Sequence, residues 1–262
     1  MKKPDKSYAR ERDPITLIKR YKEKAESTPG SSRIILTKNS KVVKNTKEGF
    51  LTGTIHLAPS VESLPFGGVN MCAKASDGCK SACLKHAGLH AMPYNAVRRV
   101  ALTLWFLKDK NSFYKRLDTE IQDLIKAAGK KDLTPAVRPN CLSDRRDLAT
   151  WIHTNYPKVL CYDYTKLPKP WEALSHNYHL TFSRSETNQT ECDEALKHGV
   201  NVAVVFDGQI PSSWRGVEVL DGDSNDINWI SPDKTGVYVG LKLKGSNAAK
   251  ERARSSGFAV RV

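Results

Sequence analysis

The sequence predicts an α/β protein: a partial or complete (β/α) barrel of mostly parallel strands, with a basic N-terminal extension. Three observations carry this. From residue 135 onward, short runs rich in β-branched and aromatic residues recur, at approximately 135–140, 158–163, 178–182, 201–206, 216–220 and 237–243. Helical or loop segments separate these runs, which calls for crossover connections and therefore parallel neighbours. With an earlier strand at 50–57 there are about seven strands, enough for most of a barrel wall.

Taken in order, residues 1–48 read as a basic arm and residues 49–262 as the barrel-like domain. Within the arm, Pro14 to Ala25 predicts a short amphipathic helix, Thr28 to Ser32 a turn, and Arg33 to Thr37 a strand. Phe50 to Leu57 is the first strand of the domain. Ala58 to Cys83 then forms a long loop with Pro59, Pro65 and a Gly67-Gly68 pair, and loops of that length inside compact domains are usually functional. A helical region follows from Ser81 to Ala128, broken near Pro93 and capped again at Asn111. Its stripe of Leu102, Trp105, Phe106, Phe113, Leu117, Ile121, Leu124 and Ile125 is core packing. Asp144 to Asn155 and Glu191 to His198 are the helices between later strands.

Several strands end in polar residues: Ser143-Asp144, Asp163 within Tyr162–Lys166, Ser183-Arg184-Ser185-Glu186, Asp207, and Asp221-Gly222-Asp223. Parallel α/β folds gather ligand chemistry at the C-terminal strand edge. Asp144, Asp163, Ser183, Ser185 and Glu186 are therefore expected to line the barrel mouth and bind a cofactor, although each alone is an ordinary turn former or cap.

Charge and cysteine usage narrow the function. The chain has 262 residues, 42 basic and 28 acidic, for a net charge of +14. The positive field suits nucleic acid, an anionic cofactor or a phosphorylated substrate; a merely solubilising surface is the alternative. A charged N-terminus without an apolar h-region, and no apolar run of about 18 residues, predict a cytoplasmic protein with no membrane partner. Its six cysteines are then reduced, and clustered thiols in that setting suggest metal or catalysis.

The densest signal is Gly67-Gly68-Val69-Asn70-Met71-Cys72 followed by Cys79-Lys80-Ser81-Ala82-Cys83, a Cys-x6-Cys-x3-Cys spacing. Four residues apart on a helix, Cys79 and Cys83 would share a face, with Cys72 arriving from the loop. Zinc sites usually show a Cys-x2-Cys turn, absent here. The expected group is an iron–sulfur cluster, [4Fe-4S] in type, with zinc and unliganded thiols as alternatives. Three thiolates leave one iron open for a small ligand or a fourth protein ligand, for which Cys141, Cys161, His86 and His90 are candidates. Cys141, Cys161 and Cys192 otherwise read as ordinary buried thiols. Arg98 or Arg99 would neutralise cluster or carboxylate charge.

The Leu57-Ala58-Pro59-Ser60 run, the two cysteine segments, Tyr162–Lys166, Leu180–Ser183, Asp221-Gly222-Asp223 and Val239–Gly245 resemble an uncharacterised bacteriophage family, gene product 88, over roughly residues 50 to 262. The resemblance implies a phage or prophage origin, hence a host-cell cytoplasm. A more distant similarity is to radical S-adenosylmethionine enzymes, which carry three cysteines in the loop after the first strand of a partial barrel. That likeness implies S-adenosylmethionine as cofactor, although the cysteine spacing differs from the usual Cys-x3-Cys-x2-Cys and Ala82 stands where an aromatic is usual. The expectation is an iron–sulfur, radical-S-adenosylmethionine-like enzyme acting on nucleic acid or an anionic substrate. The alternative is a non-catalytic nucleic-acid-binding or regulatory protein with a structural or sensing cluster or zinc site. The sequence names neither a redox partner nor an oligomeric state.

Overall fold

The computed structural model describes residues 33–38 and 40–262. The helix expected at Pro14–Ala25 and the turn at Thr28–Ser32 lie outside the described residues. Among the described residues nine strands, β1 (Ile35–Leu36), β2 (Phe50–Ile55), β3 (Thr134–Arg138), β4 (Leu160–Thr165), β5 (Tyr178–Ser183), β6 (Val202–Phe206), β7 (Ser213–Trp214), β8 (Val217–Asp221) and β9 (Tyr238–Lys242), make one sheet. Their order is β1-β2-β3-β4-β5-β6-β9-β8-β7. Every pairing from β2 to β8 is parallel; only β1 and β7 are antiparallel to their neighbours.

Among the described residues the α-helices are α1 (Ser40–Lys44), α2 (Asp77–Ser81), α3 (Pro93–Lys108), α4 (Lys110–Gly129), α5 (Arg146–Asn155), α6 (Gln189–Lys197) and α7 (Asn247–Ser255). Strands β2 to β6 lie side by side in chain order. Right-handed crossovers then put the connecting helices on one face. The core bears this out. Phe113, Leu117, Ile121 and Leu124 of α4, with Leu148 and Ile152 of α5, pack on Val137, Cys161 and Leu180. Cys192 and Ala195 of α6 pack with Val202, Val204 and Phe206. Strand side chains alternate, so the opposite face carries Thr52, Ala136, Arg138 and Tyr162. It is covered in part by Ile227 and Ile230.

A closed barrel does not form. The sheet is open and ends at two-residue strands on both sides. The strand expected at 216–220 forms as β8 and runs parallel to β9, but it is the second arm of a hairpin with β7. Arg215 (φ 50°) and Gly216 (φ 79°) both take the left-handed conformation, the signature of a tight two-residue turn. Strand β9 then pairs directly with β6, leaving β8 outside it.

The helical region also differs in detail. Pro93 opens α3 at its first turn, where a proline loses no hydrogen bond. Between Ser81 and Pro93, however, there are 3-10 turns at Leu84–His86 and Gly88–Ala91 rather than continuous helix. The cap of α4 is Asp109, whose side chain accepts from the Ser112 amide, and not Asn111. Ile125 faces outward. Asp144 precedes α5, which starts at Arg146. Gly53, in the middle of β2, marks a close approach: a Cβ there would meet Ile35 Cγ2 at 2.5 Å. No helix among the described residues is long and apolar enough to cross a membrane.

Candidate functional site

The site begins where β2 ends. Leu57-Ala58-Pro59-Ser60 runs buried to Ser60, a non-glycine residue at φ 49°. That left-handed backbone turns the Ser60 amide onto Cys72 Sγ (3.2 Å). The Cys72 thiol in turn donates to the carbonyl of Leu142, in the loop after β3 (3.4 Å). Met71, fully buried, anchors the segment on both sides: its amide donates to Ser60 O (3.0 Å) and its carbonyl accepts from the Asp144 amide (2.9 Å). Cys72 is thus pinned across the C-terminal ends of β2 and β3. Burial pushes its thiol up to about 12; the Ser60 amide opposes this, and the charges of Asp144, Cys83 and Cys79 add to it.

The next cysteine is held from β5. Ser76 caps α2, accepting from the Cys79 amide (3.2 Å). The Ser76 hydroxyl donates to Glu186 Oε2 (2.8 Å) and the Gly78 amide donates to Glu186 Oε1 (2.8 Å). A carboxylate at the first turn of a helix meets its exposed amides. The approach is close: a Cβ on Gly78 would lie 2.6 Å from Glu186 Oε2 and 2.8 Å from Ser256 Oγ, at the end of α7, so a larger residue would displace the carboxylate. The cysteine segment therefore lies over the C-terminal strand edge from β2 to β5 and rests on α7.

Cys79 and Cys83 do not share a helix. Helix α2 stops at Ser81, Ala82 closes it, and Cys83 is extended (φ −55°, ψ 137°). The three thiols are nonetheless close enough to feel one another's charge. All six cysteines are free thiols. Among the described residues, no group of three or more His, Cys, Asp or Glu side chains is drawn together tightly enough to hold a metal ion.

The remaining expected residues sit in the same edge, mostly bracing loops. Asp163 accepts from the Asn140 amide and Nδ2 (both 2.8 Å) and from Tyr178 OH (3.3 Å). Burial pushes its carboxyl up to about 7 against those bonds. Asn140 Oδ1 then takes the Ser143 hydroxyl and the Arg145 amide, so Asp163 clamps the loop that presents Leu142 to Cys72. Asp144, also raised by burial, accepts from Thr165 Oγ1 and the Lys166 amide (both 2.8 Å). The Ser185 amide donates to Asn188 Oδ1, and Asn188 Nδ2 donates to Ser183 O. The Ser183 side chain is half-buried.

The fourth-ligand candidates disperse. Cys161 lies in the core beneath the helices and Cys192 in the core around β6. Cys141 faces Thr54 and Arg138 on the other side of the sheet. His90 packs at a tilt against His56 (5.0 Å between centroids, 31° between planes), whose Nε2 meets Thr54 Oγ1 at 2.9 Å. Burial holds His56 neutral. His86 is exposed, near Lys85 and Arg252. Of the two arginines, Arg98 donates to the carbonyls of Arg33 and Ile34, while Arg99 forks onto the carboxylate of Glu62, whose charge bears on Cys83, and reaches His90 O.

Sequence reasoning missed Ser60 as a partner of Cys72, because nothing local announces a serine at positive φ. It also missed the buried ion pair between Arg138 Nη1 and Asp226 Oδ2 (2.9 Å), whose members belong to distant segments. The family model of gene product 88 matches residues 33–261. No curated protein and no solved structure matches.

Proposed function

We propose, for a chain that belongs to the gene product 88 family, an iron–sulfur protein of radical-S-adenosylmethionine type. It would act on nucleic acid or another anionic substrate in the cytoplasm of a phage host. The observation that carries the reading is the lie of the cysteine segment. It leaves the first parallel strand and crosses the C-terminal edge of the sheet, where Cys72 meets the loops after β2 and β3 and α2 meets the loop after β5. On this reading the sequential half of the sheet, β2 to β6, is part of a barrel wall.

Three thiolates are the donor type an iron–sulfur cluster takes. Cys72, Cys79 and Cys83 would hold it. A cluster bound by three thiolates supplies electron transfer and an open iron for a small ligand. The Ser60 amide already points at a ligand sulfur, the kind of hydrogen bond that tunes cluster potential. Ser60 Oγ is buried with no partner, a polar atom in want of one beside Cys72. The surface around the cysteines mixes exposed Leu84, Leu89, Met92 and Tyr94 with Lys74 and Lys80, a pattern suited to single-stranded nucleic acid.

One observation favours the alternative of a structural or sensing cluster, or a zinc site, in a non-catalytic binding protein. The side chains of Asp144, Asp163 and Glu186 are already bonded within the protein, which leaves fewer groups for S-adenosylmethionine. The test is anaerobic purification with iron, sulfide and zinc analysis on wild type and on Cys72→Ala, Cys79→Ala and Cys83→Ala. The expected result is iron and sulfide lost in each variant; stoichiometric zinc without sulfide refutes the cluster. Adding S-adenosylmethionine to the reduced protein should alter its electron paramagnetic resonance spectrum, and an unchanged spectrum selects the non-catalytic reading.

A further inference from the structure

We infer that α7 forms the phosphate-binding half of a track for single-stranded nucleic acid, and that the exposed ridge from Leu84 to Tyr94 forms its base-contacting half. The inference rests on the nucleic-acid part of the proposed function and not on the cluster. Eleven large apolar side chains are exposed among the described residues, and seven of them lie between Val61 and Tyr94. Scattered exposed apolar residues need no explanation, whereas a concentration marks an interaction surface. Its densest part, Leu84, Leu89, Met92 and Tyr94, is braced from beneath. The Asn95 side chain donates to Leu89 O (2.6 Å), and the Arg99 guanidinium donates to His90 O (2.8 Å). The ridge thus holds its apolar side chains in solvent on a fixed backbone.

The cations lie alongside. Residues 244–262 carry five basic residues against one acidic, Glu251. Helix α7 buries Ala249 and Ala253 and leaves Arg252 and Arg254 exposed. Arg254 forks onto Asp207, which also meets the charges of Arg261 and Lys250, so that carboxylate leaves a positive excess. Arg252 forms no ion pair among the described residues. The helix adjoins the ridge: α7 packs on α2, and the Arg252 charge reaches His86. The turn after α7 is tied to the same strand edge. Arg184 Nη1 donates to Gly257 O (2.9 Å) and Phe258 O (3.1 Å), and Lys166 Nζ lies 5.8 Å from the centroid of the Phe258 ring. A duplex offers phosphates but hides its base faces, so an apolar ridge beside the cations would be idle on it. A single strand offers both: cations track its backbone, and aromatic and apolar side chains take its bases.

The test is fluorescence anisotropy of the full-length protein with labelled oligothymidylate, single-stranded or annealed to oligoadenylate, across a range of salt. The single strand should bind more tightly than the duplex. Arg252→Gln and Lys250→Gln should each lower the slope of log affinity against log salt by about 0.7. Tyr94→Ala, at an exposed position in the first turn of α3, should weaken binding at least about fivefold and leave the slope unchanged. Lys130→Gln and Lys131→Gln remove the same charge beyond α4, at the opposite strand edge, and should leave the slope unchanged. Iron and sulfide analysis of the same preparation reads the cluster separately, so cluster-free protein that binds through these residues refutes the cluster and keeps the track. Four results overturn the inference: no single-strand binding at low salt, a duplex bound as tightly, an equal loss of slope in the Lys130 and Lys131 proteins, or competition by polyglutamate as strong as by the unlabelled oligonucleotide. The last would make this surface a site for an acidic protein.

Discussion

Glu186 offers the sharpest handle on the cysteine segment. It is the one side chain from the far half of the sheet that accepts from both Ser76 and Gly78, each at 2.8 Å. Hydrogen bonds to an ionised group contribute about 1.5–3 kcal/mol each. For a half-buried carboxylate the lower figure applies, so the pair stabilises the docked segment by about 3 kcal/mol. Glu186→Ala should therefore raise the local opening equilibrium of α2 by roughly a hundredfold. Glu186→Gln, which keeps one acceptor oxygen, should fall between. The assay is amide hydrogen exchange of Lys80 and Ala82, whose amides close the α2 turn onto Ser76 O and Gly78 O, alongside the alkylation rate of Cys79. Faster exchange there, with core amides of β4 and β5 unchanged, is the expected outcome. Equal protection of Lys80 and Ala82 in wild type and Glu186→Ala would refute the claim that Glu186 holds the segment.

Two further outcomes follow from burial and close packing. Asp163 is raised from 3.8 to about 7 in the folded protein, so the folded state binds the extra proton between those values. Stability should then be greatest below about pH 4 as far as this group is concerned, and fall as pH rises towards 7. The total is about 4 kcal/mol; chemical denaturation across that range should show the slope, and Asp163→Asn should abolish it. Gly53→Ala would drive a Cβ to 2.5 Å from Ile35 Cγ2 and 3.1 Å from Leu124 Cδ2, destabilising the protein by about 1–3 kcal/mol; an unchanged urea midpoint would show that β1 yields freely.

What the sequence discloses is what repeats locally. The parallel strands and the amphipathic α4 are legible because alternation and helical spacing are properties of short windows; Phe113, Leu117 and Ile121 are all fully buried. The β7–β8 hairpin is not legible, because its turn is Arg215 and Gly216 at positive φ, and arginine is an unusual residue for that turn. The cysteine spacing is legible but its geometry is not: four-residue separation suggests one helix face, whereas α2 ends before Cys83. The polar strand ends are likewise visible as residues and invisible as partners. Glu186 reads as a ligand group at a barrel mouth, yet its bonds go to a serine and a glycine more than a hundred positions earlier.

The packing of α2 against α7 carries a consequence for biosynthesis. A chain leaves the ribosome from its N-terminus, and its early elements can settle before the last are made. Strands β2 and β3, with the helices between them, have most of their partners once the first half has emerged. The cysteine-bearing turn does not: its seat includes Glu186 and the end of α7, whose Ser256 lies close to Gly78. During synthesis Cys79 and Cys83 therefore remain on an undocked loop after Cys72 has met its partners at the ends of β2 and β3. Any group they receive can be delivered while that loop is open, and arrival of the C-terminal helix then shuts the door behind it.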